Sequence, residues 1–69
     1  MPAYHINLFF SDDDAGWIAD VPDLQYCSAF AETPEEAVIE VRKAIEVWLE
    51  AARADGRPVP DATYRPAPA

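Results

Sequence analysis

Hydrophobic and polar residues alternate in three short stretches of the first half of the chain. YHINLFF (residues 4–10), WIADV (17–21) and QYCSAFA (25–31) each alternate with a period of two and contain aromatic or branched residues. This pattern is typical of β-strands. SDDDAG (11–16) has the composition of a turn, in which Gly16 tolerates a positive φ. The pattern therefore predicts a hairpin that is extended by a third strand into an antiparallel meander.

A helical pattern follows the third stretch. Thr33 is suited to the N-cap and Pro34 to the first helical position, and Glu36 falls three residues after Thr33, as in a capping box. Gly56 is placed to end the helix in a left-handed conformation. These signals predict one helix of about five turns between Thr33 and Gly56.

The apolar stripe of this helix is wider than one small sheet face requires. Val47 and Ala51 extend the stripe on one side, whereas Ile39 lies on the opposite, polar side. We interpret the surplus as a surface that a second subunit or a partner covers, with Val47, Trp48 and Ala51 as the predicted oligomer interface. The alternative is that Val47 and Ala51 are simply tolerated at the surface. The stripe itself consists of Ala37, Val38, Val41, Ala44, Ile45, Trp48, Leu49 and Ala52.

The chain after Gly56 contains four prolines. Residues 59–64 are predicted to add a short fourth strand at an edge, with Thr63 and Tyr64 the best candidates, and residues 65–69 to form an extended tail. With 69 residues, the chain is expected to form one domain over residues 1–62, with the strand remnant and tail at 63–69. The predicted fold class is α+β, in the order β-β-β-α-β.

The charge is strongly acidic and unevenly distributed. The formal net charge is −8, and residues 1–41 contain nine acids and no Lys or Arg. Such a surface repels nucleic acid phosphates, which argues against direct nucleic acid binding. It attracts a basic protein surface and accelerates the encounter with it. The alternative is that the charge serves solubility alone.

Few residues suggest catalysis or cofactor binding. Asp12, Asp13 and Asp14 are consecutive on a turn and therefore point in different directions, so a metal site is disfavoured. His5 is the only histidine, and no nucleophile is evident to pair with it. Cys27 lies among apolar residues and is expected to be a small buried hydrophobic residue. The two glycines do not form a phosphate-binding loop. The sequence predicts no enzyme activity, metal or cofactor.

The two tryptophans indicate core packing, and the single cysteine bears on the cellular compartment. Trp17 and Trp48 both fall on predicted inward faces, so core packing is their first interpretation. Because Cys27 is alone, an internal disulfide is excluded, which fits a reducing compartment. No apolar stretch approaches the length of a membrane span. We expect a cytoplasmic location.

Several motifs, taken in order, resemble the HicB-like antitoxin family. GWIADVPDL resembles the family's second strand and corner, and AETPEEAVIEVRKAIEVWLEAARADGRPVP resembles its helix. The similarity covers residues 4–62. One departure is Gln25-Tyr26, which stands where the family usually has Pro-Gly. The matching residues are Gly16, Trp17, Val21, Pro22, Asp23, Leu24, Cys27, Thr33, Glu35, Glu36, Ala37, Gly56, Pro58 and Pro60.

This resemblance implies a partial RNase H-like fold with strand order 3-2-1-4, without the RNase H catalytic residues. It implies a HicA-like partner, a small basic mRNA-cleaving toxin of bacteria whose active face is covered, and self-association as dimers or tetramers. Many relatives continue into a DNA-binding domain, for which this chain has no expected counterpart. The predicted partner-binding residues are Asp12, Asp13, Asp14, Asp20, Asp23 and Tyr26.

Two rival hypotheses come from other functional classes. The first is an orphan oligomeric scaffold domain without a toxin partner, which the wide apolar arc of the helix motivates. The second is a metal-dependent nuclease that uses the carboxylates of the turn, which the poor geometry of that turn disfavours.

Overall fold

The structure, a computed structural model, describes residues 3–64 and has the predicted α+β class. Strands β1 (Asn7–Ser11), β2 (Gly16–Asp20) and β3 (Ser28–Ala31) precede helix α1 (Pro34–Ala54). The strands form one antiparallel sheet in the order β1-β2-β3, which is the predicted meander.

The strand boundaries differ from those predicted. Residues 4–6 and 25–27 carry no strand, although their alternation matched that of the strands beside them. In the described part of the chain, residues 59–64 also form no strand, so the fourth strand and the order 3-2-1-4 are not found there. Residues 65–69, predicted to form the tail, lie outside the described range. Pro58 and Pro60 explain the missing strand in part, since neither can donate a ladder hydrogen bond.

Each face of the sheet has a different role because side chains alternate along the strands. Ala19 is fully buried, and it is paired with Leu8 on β1 and with Ala29 on β3. This face packs against α1. The helix lies mainly over β2 and β3 and contacts β1 least, so Leu8 and Phe10 remain 40% and 51% exposed.

Helix α1 begins and ends as its sequence signals predict. The Thr33 hydroxyl accepts a hydrogen bond from the backbone N–H of Glu36 at 3.2 Å, and Pro34 is the first helical residue. Gly56 has φ of +72°, the left-handed conformation expected after the last turn. The buried helix residues all belong to the predicted stripe: Ala37, Val41, Ile45, Leu49 and Ala52.

The role expected for Gly16 in the β1–β2 turn was wrong. The left-handed residue there is Ala15, with φ of +52°. Gly16 instead opens β2, and the aromatic ring of Phe30 lies across it, since a Cβ on Gly16 would come within 2.4 Å of that ring. Glycine is required at position 16 for space and not for its backbone freedom.

Residues 57–64 fold back onto the corner after β2. Both carboxylate oxygens of Asp23 accept hydrogen bonds from Thr63 and Tyr64, at 3.1–3.2 Å. The Tyr4 hydroxyl donates to the Pro60 carbonyl at 2.6 Å. Burial raises the pKa of the Tyr4 phenol, and the nearby carboxylates of Asp23 and Asp61 raise it further. The carboxylate of Asp23 therefore ties the end of the described chain to the sheet.

Replacing Asp23 by Ala is expected to release this segment. Hydrogen bonds to a charged acceptor at a partly exposed site contribute about 1 kcal/mol, so the free energy of unfolding should fall by that amount in a urea titration. Asp13→Ala is the matched control, because it removes the same charge from an exposed carboxylate and should change stability little. Equal stability of the two variants would contradict the assigned role of Asp23.

Candidate functional site

The face of the sheet opposite α1 carries a row of large apolar side chains. Phe9, Ile18 and Phe30 are paired across the three strands, so they lie side by side on this face. Phe9 and Phe30 are 47% and 50% exposed, and Ile18 is half-buried. None of the three belongs to the core beneath the helix. We call this surface the open face.

Carboxylates lie on both sides of the apolar row, which runs across the strands. The hairpin loop with Asp12, Asp13 and Asp14 lies beyond the Ser11 end of β1. At the opposite end, Asp20 follows Ile18 by two residues of β2 and so lies about 7 Å from it on the same face. The apolar row therefore has acidic residues on both of its sides along the strand direction.

The carboxylates of this surface differ in how far they are already engaged. Asp14 accepts a hydrogen bond from the Ser11 hydroxyl at 3.0 Å. Asp12 and Asp13 form no hydrogen bond or ion pair among residues 3–64. In the same range, the buried Oδ1 of Asp20 has no hydrogen-bond partner. The carboxylate of Asp23, which was also predicted to bind a partner, already accepts hydrogen bonds from Thr63 and Tyr64.

Tyr26 lines a pocket together with Asp20 and has an unusual backbone conformation. Two consecutive turns, closed by the hydrogen bonds from Leu24 to Val21 and from Cys27 to Leu24, carry the chain from β2 to β3. Tyr26 occupies the third position of the second turn with φ of +61°, a conformation that suits glycine. The turn is thus kept although Gln25-Tyr26 replaces Pro-Gly. The Tyr26 side chain is 93% exposed, so its packing does not offset the strain.

The residues predicted to form an oligomer interface line a groove between β3 and α1. Val47, Trp48 and Ala51 form the helical wall, and Tyr26 and Phe30 belong to the strand side. The groove has a volume of about 640 Å³. Trp48 is half-buried and its indole N–H donates to the Gln25 carbonyl at 3.0 Å, which fixes the turn that carries Tyr26.

The remaining candidate residues have structural contacts. Nε2 of His5 lies 2.7 Å from Oδ1 of Asn7, and the His5 ring packs against Tyr64. Cys27 is buried as predicted, and this burial raises the pKa of its thiol. Within residues 3–64, no group of His, Cys, Asp or Glu side chains is arranged to hold a metal ion. Trp17 is half-buried against the core and in edge contact with Phe10.

Sequence analysis did not identify the apolar row of the open face as a candidate site. The signal was present, because Phe9 and Phe30 fall on the faces that alternation assigned to polar residues. An aromatic residue at such a position in two strands of a sheet indicates a second apolar surface. What the sequence alone did not supply was the register that brings Phe9, Ile18 and Phe30 into one row.

The fold and these surfaces define a small α+β domain with a three-stranded sheet, one covering helix and two exposed apolar surfaces. Residues 4–65 match the HicB_like antitoxin of bacterial toxin-antitoxin system family, and the chain belongs to that family. The family is one of antitoxins, which implies a toxin partner in general and a class that is generally non-enzymatic. No curated protein and no solved structure gives a significant match.

The helix α1 does not have the composition of a membrane span. No helix within residues 3–64 is both long enough and apolar enough to cross a bilayer.

Replacing Tyr26 by Gly should stabilise the fold. A non-glycine residue in the left-handed region destabilises the folded state by about 1–2 kcal/mol. Glycine removes this strain but lowers stability by roughly 0.5–1 kcal/mol, because it gives the unfolded chain more conformational freedom. The free energy of unfolding of dilute protein should therefore rise by about 0.5–1 kcal/mol. Tyr26→Val, which adds a β-branch to the same backbone, should lower it by about 1 kcal/mol. Destabilisation by glycine, measured in urea, would show that Tyr26 is not strained.

Proposed function

We propose that this chain neutralises a small basic HicA-type mRNA-cleaving toxin by covering the toxin's active face with its own open face. The observation that carries the proposal is the apolar row of Phe9, Ile18 and Phe30 with carboxylates on both of its sides, in a chain of an antitoxin family. In this proposal the domain acts by protein–protein contact, without catalysis or direct nucleic acid binding, in the cytoplasm.

The apolar row supplies part of the binding free energy. Burying a Phe or Ile side chain completely is worth about 1.5–3 kcal/mol. The two Phe residues have about half of their surface left to bury, and Ile18 has less. Together they offer about 2–4 kcal/mol. A micromolar complex requires about 8 kcal/mol. The apolar row therefore needs the contribution of polar contacts around it.

Carboxylates provide those contacts and orient the partner. Asp12 and Asp13 are exposed and unpaired within residues 3–64, so they meet Lys or Arg side chains without first losing an internal partner. Asp20 adds a further carboxylate on the other side of the row. Charges at the rim act mainly on the association rate and on its dependence on salt. Asp23 acts indirectly, by holding the corner of the sheet.

Two structural expectations belong to the same proposal. We infer a partial RNase H-like fold in which residues 59–64 take the place of the fourth strand of the order 3-2-1-4. The contacts of Pro60 with Tyr4 and of Tyr64 with His5 support this, since Tyr4 and His5 lead directly into β1. We also infer that the chain self-associates as a dimer or tetramer. An oligomeric scaffold without a toxin is the alternative function, favoured by the groove beside Val47.

A binding assay with a HicA-type toxin tests the proposal. Phe9→Ser should weaken the complex at least tenfold and restore RNA cleavage by the toxin, because it removes a half-exposed apolar anchor from the row of the open face. Ile39→Ser is the matched control, since Ile39 is similarly exposed, at 54%, on the far side of α1. It should bind as the unaltered protein does.

A second variant separates charge from apolar contact. Replacing Asp12 and Asp13 by Asn should lower the association rate several-fold at low salt and weaken its dependence on salt, with a smaller effect on dissociation. Asp55→Asn is its single-charge reference at the far end of the helix. Absence of any complex with the unaltered protein at low salt would contradict the proposal, as would equal effects of Phe9→Ser and Ile39→Ser.

A further inference from the structure

A small pocket lies where the chain turns from β2 to β3, next to the apolar row of the open face. The register pairs Asp20 with Ser28 across the two strands, so both side chains lie on the open face. Ile18 and Phe30 are two residues away from them in their strands, which places the pocket directly beside the row. Tyr26, in the turn before β3, lines the same pocket as Asp20 and Ser28. We call it the corner pocket.

The size of the corner pocket limits what it can hold. Its volume is about 380 Å³. Binding pockets for small molecules have volumes of roughly 300–1,000 Å³, so this one is at the lower end of the range. It therefore fits one long side chain of a partner rather than a large cofactor. Val21, Pro22 and Leu24 add apolar wall against which the aliphatic part of such a side chain can pack.

Asp20 gives the corner pocket a negative charge that nothing compensates. Within residues 3–64, no Lys, Arg or His lines the pocket, and Asp20 forms no ion pair. In that same part of the chain, the buried Oδ1 of Asp20 has no hydrogen-bond donor. The carboxylate is thus partly withdrawn from water, where a nearby cation interacts with it more strongly than at a fully solvated site. Asp20 as a whole is half-buried, so a cation reaches it through the other oxygen, Oδ2.

The strained backbone of Tyr26 is a second, independent observation at the same pocket. Its φ of +61° suits glycine, and its side chain is 93% exposed, so packing does not account for a tyrosine here. The indole N–H of Trp48, which donates to the Gln25 carbonyl, holds the turn in place. Strain that persists at an exposed residue points to a role for its side chain in binding. A tyrosine ring beside a carboxylate presents the negative face of its π-system to a cation.

We propose that the corner pocket receives an arginine side chain of the toxin. The guanidinium group donates to the carboxylate of Asp20 and stacks on the ring of Tyr26, while the aliphatic stem packs along Pro22. The Ser28 hydroxyl is a further acceptor. Arginine suits the site better than lysine, because its planar group can donate at its edge and stack on an aromatic face at the same time. This inference rests on the proposed function, since it names the type of toxin residue that meets one side of the open face.

A blocked arginine, N-acetyl-arginine methylamide, tests the corner pocket without any toxin. In an NMR titration at millimolar concentrations, the amide shift changes should cluster at residues 20, 26 and 28, and they should be lost in Asp20→Asn. Asp13→Asn is the matched control, because it neutralises an exposed carboxylate outside the pocket and should leave these changes intact. The corresponding blocked lysine should bind about threefold more weakly or worse. Equal binding of the two probes, or no shift changes at these residues, would overturn the proposal.

The toxin complex tests what the corner pocket contributes to binding. Asp20→Asn and Tyr26→Gly should each weaken binding of a HicA-type toxin about tenfold, mainly through faster dissociation, whereas Asp13→Asn should change it less than about threefold. Tyr26→Gly is informative because it is expected to stabilise the fold, so its loss of binding cannot come from unfolding. Normal toxin binding by either pocket variant would overturn this inference and leave the proposed function intact. If the unaltered chain binds blocked arginine but no toxin, the proposed function is wrong and the toxin is not the source of the arginine.

Discussion

The structure depends on the close approach of one helix to the small residues of β2 and β3 on one face of the sheet. Ala19 on β2 and Ala37 on α1 are both fully buried, with Val41 and Leu49 beside them. Small side chains let the helix axis lie near the strands, so that Leu24, Val41 and Leu49 fill the remaining space. A chain of 69 residues buries only about 60% of the surface that its unfolded form exposes. Nearly all of its core lies in this one contact between the helix and the sheet.

The same contact decides which surfaces are left for partners. One helix covers one face of the sheet, and it lies over β2 and β3 more than over β1. The opposite face keeps its apolar row, and the edge of β3 keeps its unpaired backbone. The acidic groups collect around the first of these surfaces and are absent from the second except for the paired Glu40. The two surfaces therefore differ in charge.

Local signals in the sequence predicted the elements well and the long-range contacts poorly. Thr33, Pro34 and Gly56 defined the helix because capping depends on neighbouring residues alone. Asp23 was predicted to bind a partner, but its contacts with Thr63 and Tyr64 are 40 and 41 residues away along the chain, beyond the reach of any local pattern. Likewise, the row on the open face required the pairing register. Alternation alone predicted a β3 that is too long, because Tyr26 and Cys27 continue the alternating pattern although they belong to a turn.

The most direct test of the account is to map a HicA-type toxin onto the chain by NMR. On titration with the toxin, the account predicts that the largest chemical shift changes occur at Phe9, Ile18 and the Asp12–Asp14 loop, with little change along the outer side of α1 around Ile39. Changes centred on the helix, with the open face unaffected, would contradict the claim that the sheet presents an acidic and apolar binding surface.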